Sequence, residues 1–124
     1  MKIMVVDDSK MIQALVKETL ESRGITVILA ENGQVAKEKL SAGEAVDLIL
    51  LDWNMPVMDG PSFLVAVKEE SLTSSPIVMM TTENKPEKIQ EVIEKGVVEF
   101  IMKPFTDDVL FGKIEMVTGV SYAV

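Results

Sequence analysis

The sequence contains no cysteine and no histidine. The absence of cysteine excludes disulfide bonds, thiol catalysis and thiolate metal sites. The absence of histidine removes the commonest metal ligand, the side chain most often used as a general base, and any phosphohistidine within the chain. Chemistry at a functional site must therefore come from carboxylates, lysines, hydroxyls and backbone amides, together with a hard metal ion if one is bound.

Basic residues and long apolar segments are also scarce. Twelve lysines and arginines stand against twenty aspartates and glutamates, which gives a formal net charge of −8. Nucleic-acid binding needs a clustered basic face, so we expect no nucleic-acid partner. No stretch approaches the roughly 20 apolar residues of a membrane span, and the N-terminal MKIMVVDD is too short an apolar run for a signal peptide. We therefore expect a cytoplasmic protein with no membrane partner.

The length and composition indicate one folded domain. With 124 residues, of which 48% are hydrophobic and 26% charged, the chain can build an independent core. We predict a single domain over residues 1–124, with a core at about 2–117 and a tail at 118–124. We expect this domain to be a monomer.

Five short apolar runs predict five strands, and a segment with helical periodicity follows each of them. The predicted strands are Lys2–Val6, Ile25–Ala30, Asp47–Leu51, Pro76–Met80 and Val97–Met102. The helices are predicted to begin at or next to Ser9, Asn32, Pro61, Pro86 and Thr106. The last helix is predicted to end at about Val117. The apolar residues predicted to face the core are Met11, Ile12, Leu15, Val16, Leu20, Val35, Ala36, Leu40, Phe63, Leu64, Val67, Ile89, Val92, Ile93, Val109, Leu110, Ile114 and Val117.

This alternation of strands and helices predicts an α/β fold, with a parallel sheet covered by helices on both faces. Right-handed crossovers leave few topologies for such a sheet. We adopt the strand order 2-1-3-4-5, which makes the fold a flavodoxin-like three-layer sandwich of five strands and five helices. Strands one and three are then neighbours at the topological switch point, where open α/β sheets bind ligands at their carboxyl edge.

The most informative stretch is Leu48–Gly60, which reads LILLDWNMPVMDG. Its aliphatic run predicts a strand buried on both faces, and Asp52 follows that run at the expected carboxyl edge of the sheet. The carboxyl ends of the other predicted strands carry Asp7, Asp8, Thr81 and Lys103. Each of these residues taken alone has a structural explanation as a helix cap, a turn residue or a solvated loop residue. Their joint occurrence favours a shared site.

The chemistry of such a site can be stated from its side chains. Three carboxylates close together repel one another unless a cation intervenes. Carboxylate ligands with open water positions suit Mg²⁺. A carboxylate next to Mg²⁺, a lysine and a hydroxyl is equipped for phosphoryl transfer onto aspartate.

These motifs resemble the receiver domains of two-component response regulators. The resemblance rests on an acidic pair after strand one, D-x-N-M-P-x-M-D-G after strand three, a threonine after strand four and K-P-F after strand five. It covers about residues 2–117. Within the family, the DWNMP stretch and the absence of an attached domain look most like the single-domain chemotaxis regulators.

The resemblance implies a role for each residue of the site. A sensor histidine kinase would phosphorylate Asp52, and the protein would act in signalling rather than as an enzyme. Thr81 and Lys103 would bind the phosphoryl oxygens. The implied ligands of Mg²⁺ are the side chains of Asp7, Asp8 and Asp52 and the backbone carbonyl of Asn54.

The resemblance also implies a conformational switch. Phe100 falls at the family's aromatic switch position, where it would move inward as Thr81 moves toward the phosphoryl group. The Lys103–Pro104 peptide falls where the family has a cis bond. The surface formed by helix four, strand five and helix five would then change shape for an output partner. A chemotaxis role implies the flagellar motor switch and a phosphatase as partners.

Several alternatives stay open. The chain would equally suit a phosphorelay intermediate, which has a histidine-phosphotransfer partner, or a receiver domain cut from a larger regulator. An aspartate-nucleophile phosphohydrolase of the haloacid dehalogenase type also uses Asp, Mg²⁺, Thr and Lys, but its nucleophile follows strand one in a D-x-D pattern, and here that position reads DDSK. A flavodoxin-like binding module would have a hydroxyl-rich phosphate loop at the same place, and DDSK is too acidic for one.

Overall fold

Five parallel strands form one sheet in the order β2-β1-β3-β4-β5 in the computed structural model, which describes residues 1–122. The strands are β1 (Lys2–Val6), β2 (Thr26–Ala30), β3 (Leu48–Asp52), β4 (Ile77–Thr81) and β5 (Glu99–Met102). The helices are α1 (Lys10–Glu21), α2 (Gly33–Ser41), α3 (Gly60–Glu70), α4 (Pro86–Glu94) and α5 (Asp107–Thr118). The predicted fold and strand order are confirmed.

The sheet is buried on both faces, and this produces two separate core clusters. Successive side chains of a strand point to opposite faces. Along β1, Met4 and Val6 belong to the cluster under α2, α3 and α4, whereas Ile3 and Val5 belong to the cluster under α1 and α5. All four are fully buried. This explains why the strands read as continuous apolar runs rather than as alternating ones.

Three of the predicted helix starts are confirmed by side-chain caps. The hydroxyl of Ser9 accepts a hydrogen bond from the backbone N–H of Ile12 at the start of α1. Asn32 caps α2 and Thr106 caps α5 in the same way. Such caps satisfy backbone donors that would otherwise have no partner at the first turn.

Two strands extend one residue further than the apolar pattern predicted. β3 includes Asp52, which pairs with Met80, and β4 includes Thr81, which pairs with Met102. The predictions stopped at the last apolar residue, whereas parallel pairing continues through the polar one. Asp52 and Thr81 therefore belong to strands, and the pairing of these strands fixes the backbone from which each side chain projects.

Four strands begin one or two residues later than predicted. The residues that the predictions included and the strands leave out are Ile25, Asp47, Pro76 and residues 97–98. The N–H of Ile25 donates to the carbonyl of Leu20, and that of Val97 donates to the carbonyl of Val92. These residues complete the ends of the preceding helices instead of joining the sheet.

Four apolar residues predicted to face the core are exposed instead. They are Met11, Leu15, Ile93 and Val109, with 75%, 53%, 46% and 43% of their surface exposed. A helix on a sheet buries only a narrow stripe, and in α1 this stripe is Gln13, Val16 and Leu20. The prediction drew the apolar face of these helices too wide.

The segment after α5 packs back onto the domain. The guanidinium of Arg23 lies 4.2 Å from the ring centre of Phe111 and donates a hydrogen bond to the carbonyl of Tyr122. The rings of Tyr122 and Phe111 are 6.2 Å apart between centroids. The sequence pattern did not predict this contact. Residues 123 and 124 of the predicted tail lie outside the described residues, and the division into core and tail stays a prediction.

Candidate functional site

Three aspartates meet at the carboxyl edge of the sheet. Asp7 directly follows β1, Asp8 comes next, and Asp52 ends β3, the strand beside β1. One carboxylate oxygen from each lies within 4.8 Å of the others. Asp7 is buried, Asp52 is partly buried and Asp8 is exposed, so the cluster has one open side. The predicted convergence of these three residues is confirmed.

Lys103 connects two of the aspartates. Its Nζ lies 3.0 Å from Oδ2 of Asp7 and 3.1 Å from Oδ1 of Asp52. The backbone N–H of Lys103 donates to the carbonyl of Thr81, so β4 positions the residue that follows β5. The Lys103–Pro104 peptide is cis, as the resemblance implied. Lys103 therefore reaches from the far side of the sheet into the carboxylate cluster.

The charges of the cluster are only partly balanced. Burial raises the pKa of Asp52, the negative charge of Asp7 raises it further, and the contact with Lys103 opposes both effects. Burial acts to lower the pKa of Lys103, but the hydrogen bonds and charges of Asp7 and Asp52 outweigh it and raise that pKa. Lys103 is thus held protonated, and one ammonium faces three carboxylates. The donor set suits a divalent cation bound at its open side.

Three further residues were predicted to belong to this site, and in the structure Thr81 ends β4, Asn54 follows β3 and Phe100 lies within β5. Thr81 is buried, and its hydroxyl accepts a hydrogen bond from the N–H of Glu83 while keeping one hydrogen to donate. Asn54 lies in the exposed loop two residues after Asp52. Phe100 is half-buried and packs against the core cluster under α2, α3 and α4. The functional roles of these three residues stay predictions.

The sequence prediction missed two supports of Asp7. The side-chain amide of Gln13, on the buried stripe of α1, donates to the backbone carbonyl of Asp7. The N–H of Ser9 donates to Oδ1 of Asp7. The available signal for Gln13 was a polar residue at a buried position of an amphipathic helix, where a hydrogen-bond partner is required.

The sequence prediction also missed Gly60, which allows the start of α3 to pass close to the backbone of Asp52. A Cβ added at Gly60 would lie 2.6 Å from the backbone oxygen of Asp52. In Gly60→Ala the added Cβ would clash with this oxygen, and the two backbone segments cannot easily move apart to relieve the clash. We therefore expect the substitution to lower the free energy of unfolding by about 2 kcal/mol. Urea denaturation measures this change.

The matched control is Gly112→Ala in α5, where an added Cβ would meet nothing within 4 Å. Alanine is the better helix former, so this variant should gain up to about 1 kcal/mol. Equal effects of the two substitutions would contradict the role assigned to Gly60.

The raised pKa of Asp52 predicts a pH-dependent stability. A carboxyl group whose pKa is higher in the folded state than its ordinary value of 3.8 contributes stability below that value. This contribution is lost as the pH rises through the raised pKa. Asparagine is neutral throughout, so without divalent cations Asp52→Asn should be more stable than the wild type at pH 7.

The measurement is the free energy of unfolding in chelator across the acid range. The advantage of Asp52→Asn should shrink as the pH falls below the raised pKa. Asp108→Asn, on the exposed first turn of α5, is the control. A stability difference that did not change with pH would contradict the assignment.

Comparison with known proteins identifies the class. Residues 3–115 match the family model described as the response regulator receiver domain. The chain therefore belongs to the receiver-domain family, and its function lies in two-component signalling.

Within that family, the chain resembles chemotaxis proteins. It is 40% identical over 121 residues to chemotaxis protein CheY1 of Helicobacter pylori, covering 96% of this chain and 98% of that protein. It is 39% identical to chemotaxis protein CheY of Pseudomonas aeruginosa, over 94% of this chain and 95% of that protein. The structure of CheY4 of Vibrio cholerae superposes with a TM-score of 0.87 at 38% identity, covering 94% of this chain and 97% of that one. The chain is a CheY-like receiver domain.

None of the helices within residues 1–122 has the length and apolar character that a membrane crossing requires.

Proposed function

We propose that this chain is the phosphoacceptor of a two-component pathway, with Asp52 receiving the phosphoryl group from a sensor histidine kinase. The observation that carries the proposal is the environment of Asp52. Its carboxylate is partly buried, lies 3.1 Å from the Lys103 ammonium and shares a cluster with two further aspartates. Among residues 1–122, no other three carboxylates lie this close together.

The residues present fit a magnesium ion. Asp7, Asp8 and Asp52 provide carboxylate oxygens close enough to share one cation. We propose these three side chains and the backbone carbonyl of Asn54 as its ligands. When bound, Mg²⁺ supplies positive charge that neutralises the oxygens of the transferring phosphoryl group.

The reaction at Asp52 follows from the side chains around it. A carboxylate oxygen of Asp52 forms a bond to phosphorus as the bond from phosphorus to the donor breaks, leaving a phosphoaspartate. The ammonium of Lys103 already lies beside this oxygen and neutralises the incoming phosphoryl oxygens. The hydroxyl of Thr81 donates its hydrogen to another phosphoryl oxygen.

Phosphorylation would then act as a switch. It adds roughly −1.5 to −2 charges and three strong acceptors next to Lys103 and Thr81. As Thr81 moves toward these acceptors it vacates space, and the half-buried ring of Phe100 moves inward to fill it. The surface of α4, β5 and α5 changes shape for an output partner.

The partners are proposed from the relatives. Similarity to chemotaxis proteins supports the flagellar motor switch as output partner and a phosphatase as the protein that ends the signal. A phosphorelay role, with a histidine-phosphotransfer partner, is the alternative. We further propose that the chain acts as a cytoplasmic monomer, is a single receiver domain over residues 1–124, and has no enzymatic turnover of its own.

Phosphotransfer from purified, radiolabelled histidine kinases of the same organism tests the proposal. One kinase should transfer its label to the wild-type protein within seconds to minutes and fail with Asp52→Asn. A chemotaxis kinase as the fastest donor supports the chemotaxis role, whereas transfer only from a histidine-phosphotransfer protein supports the relay. Transfer from none of the kinases would refute the proposed function.

A further inference from the structure

The β3–α3 loop, residues 53–59, joins the end of β3 to the start of α3 and contains Asn54, a proposed ligand of the cation. Asn54 forms no hydrogen bond with any other residue in the described part of the chain. The side chain of the next residue, Met55, is buried in the core cluster under α2, α3 and α4. The position of the Asn54 carbonyl therefore depends on how the rest of the loop is held.

The loop contains a tight turn centred on Val57. The N–H of Met58 donates to the carbonyl of Pro56 at 2.7 Å, and Val57 between them has a φ of 69°. This left-handed conformation is unfavourable for a β-branched residue and persists only where surrounding contacts hold it. The side chain of Val57 is 83% exposed, so its own packing does not hold it.

The first residue of α2, Gly33, supplies such a contact. Its N–H, which has no partner within the helix, donates to the carbonyl of Met58 at 3.0 Å. A Cβ added at Gly33 would lie 2.8 Å from that carbonyl oxygen and 2.8 Å from Cγ of Met58. The buried side chain of Asn32 caps α2 and fixes its first turn. Only glycine therefore lets α2 approach the loop this closely.

We propose that Gly33 is a positioning residue of the cation site. Its hydrogen bond to Met58 ties the loop to α2, keeps Val57 in the left-handed conformation and so fixes the Asn54 carbonyl relative to Asp52. Replacing a group that holds a metal ligand in place typically weakens metal binding by roughly 10–100-fold. This inference rests on the magnesium site of the proposed function and adds to it a residue outside the carboxylate cluster.

Calorimetric titration of the unphosphorylated protein with MgCl₂ measures the effect. Gly33→Ala should bind Mg²⁺ about tenfold more weakly than the wild type, because α2 no longer holds the loop. Gly112→Ala is the matched control, since its added methyl group meets no atom of residues 1–122 within 4 Å. Lys37→Met is a second control, which breaks the 2.8 Å ion pair between α2 and Glu70 of α3, outside the loop. Both controls should bind Mg²⁺ as the wild type does.

Nuclear magnetic resonance of the ¹⁵N-labelled, metal-free protein tests the contact itself. The hydrogen-bonded amide at position 33 should exchange slowly with solvent in the wild type and rapidly in Gly33→Ala. The amide resonances of Asn54, Val57 and Met58 should shift in the same variant and stay unchanged in Gly112→Ala. These measurements need neither Mg²⁺ nor a kinase, so they are independent of the proposed function.

A second substitution, Val57→Asn, should partly rescue Gly33→Ala. Asparagine adopts the left-handed conformation more readily than valine, and the exposed position loses little packing. In the Gly33→Ala background this substitution should therefore recover part of the lost Mg²⁺ affinity. In the wild type, where the loop is already held, it should change the affinity little. A purely structural role of Gly33 predicts no such rescue.

Four results would overturn the inference. They are equal Mg²⁺ affinity of Gly33→Ala and the wild type, weaker binding without shifts of the loop amides, no recovery by Val57→Asn, and a wild type that binds no Mg²⁺. A wild type that binds Mg²⁺ as expected but accepts no phosphoryl group from any kinase would instead refute the proposed function and leave the role of Gly33 intact.

Discussion

Replacing Asp52 with asparagine is expected to abolish labelling of the protein by acetyl phosphate and Mg²⁺. The wild type should gain one phosphoryl group per chain, measured by intact mass. The amide of asparagine is a far weaker nucleophile than a carboxylate, and it removes one proposed ligand of the cation. Within residues 1–122, the one other carboxylate that pairs with the Lys103 ammonium is that of Asp7, which is fully buried and so less accessible to a donor.

Two controls separate the site from general effects. Asp108→Asn removes one exposed carboxylate from α5 and should be labelled like the wild type. Chelation of the wild-type protein should also abolish labelling, because without a cation the carboxylate cluster repels an anionic donor. A labelled Asp52→Asn protein would refute the assignment of the phosphoacceptor.

The pH dependence of stability in Asp52→Asn and the labelling of Asp52 both depend on the partly buried position of this carboxylate beside Asp7 and Lys103. Burial and the charge of Asp7 raise the pKa of Asp52, so the folded protein is less stable with Asp52 ionised than it would be with a neutral group there. Functional sites commonly contain such perturbed groups, because the arrangement that favours ligand binding opposes folding in its absence. Labelling and unfolding therefore test the same arrangement of Asp52, Asp7 and Lys103, the first by its reactivity and the second by its effect on stability.

The convergence of Asp7, Asp8, Asp52 and Lys103 could be predicted from the sequence alone. Each residue follows or ends an apolar run, and parallel strands put all their carboxyl ends at one edge of the sheet. Which residues meet at that edge depends on which strands are neighbours. This is why a hypothesis about strand order was enough to predict the cluster.

Other features depend on contacts between distant residues and could not be predicted. The Oδ1 of Asp52 and the Oδ2 of Asp7 share one ammonium because of side-chain conformations that no pattern encodes. Gly60 must be glycine because of the backbone oxygen of Asp52, and not because of its own dihedral angles. Val57 adopts a left-handed conformation with φ of 69°, which local preference disfavours for a β-branched residue.

Lys103→Met is expected to have the largest effect on stability. It leaves the buried carboxylate of Asp7 and the partly buried one of Asp52 without their cation. Removing one partner of a buried ion pair typically costs about 3–5 kcal/mol. Because Lys103 keeps 19% of its side chain exposed, we expect the lower end, about 3 kcal/mol, measured by urea denaturation at pH 7 in chelator.

Lys113→Met is the matched control, because it breaks a lysine–carboxylate pair of similar length outside the cluster. Lys113 and Glu99 are 3.1 Å apart with 29% and 26% of their side chains exposed. This loss should stay below about 1 kcal/mol. Equal losses in the two variants would mean that the aspartate cluster gives Lys103 no special role.

A second measurement on Lys103→Met separates stability from signalling. The variant should still bind Mg²⁺, seen by the fluorescence of Trp53, whose backbone N–H donates to the carboxylate of Asp52. Once phosphorylated, it should not shift the resonances of Phe100 if, as we propose, Lys103 transmits the new charge from Asp52 to the end of β5. Normal Phe100 shifts in phosphorylated Lys103→Met would show that the signal passes through Thr81 alone.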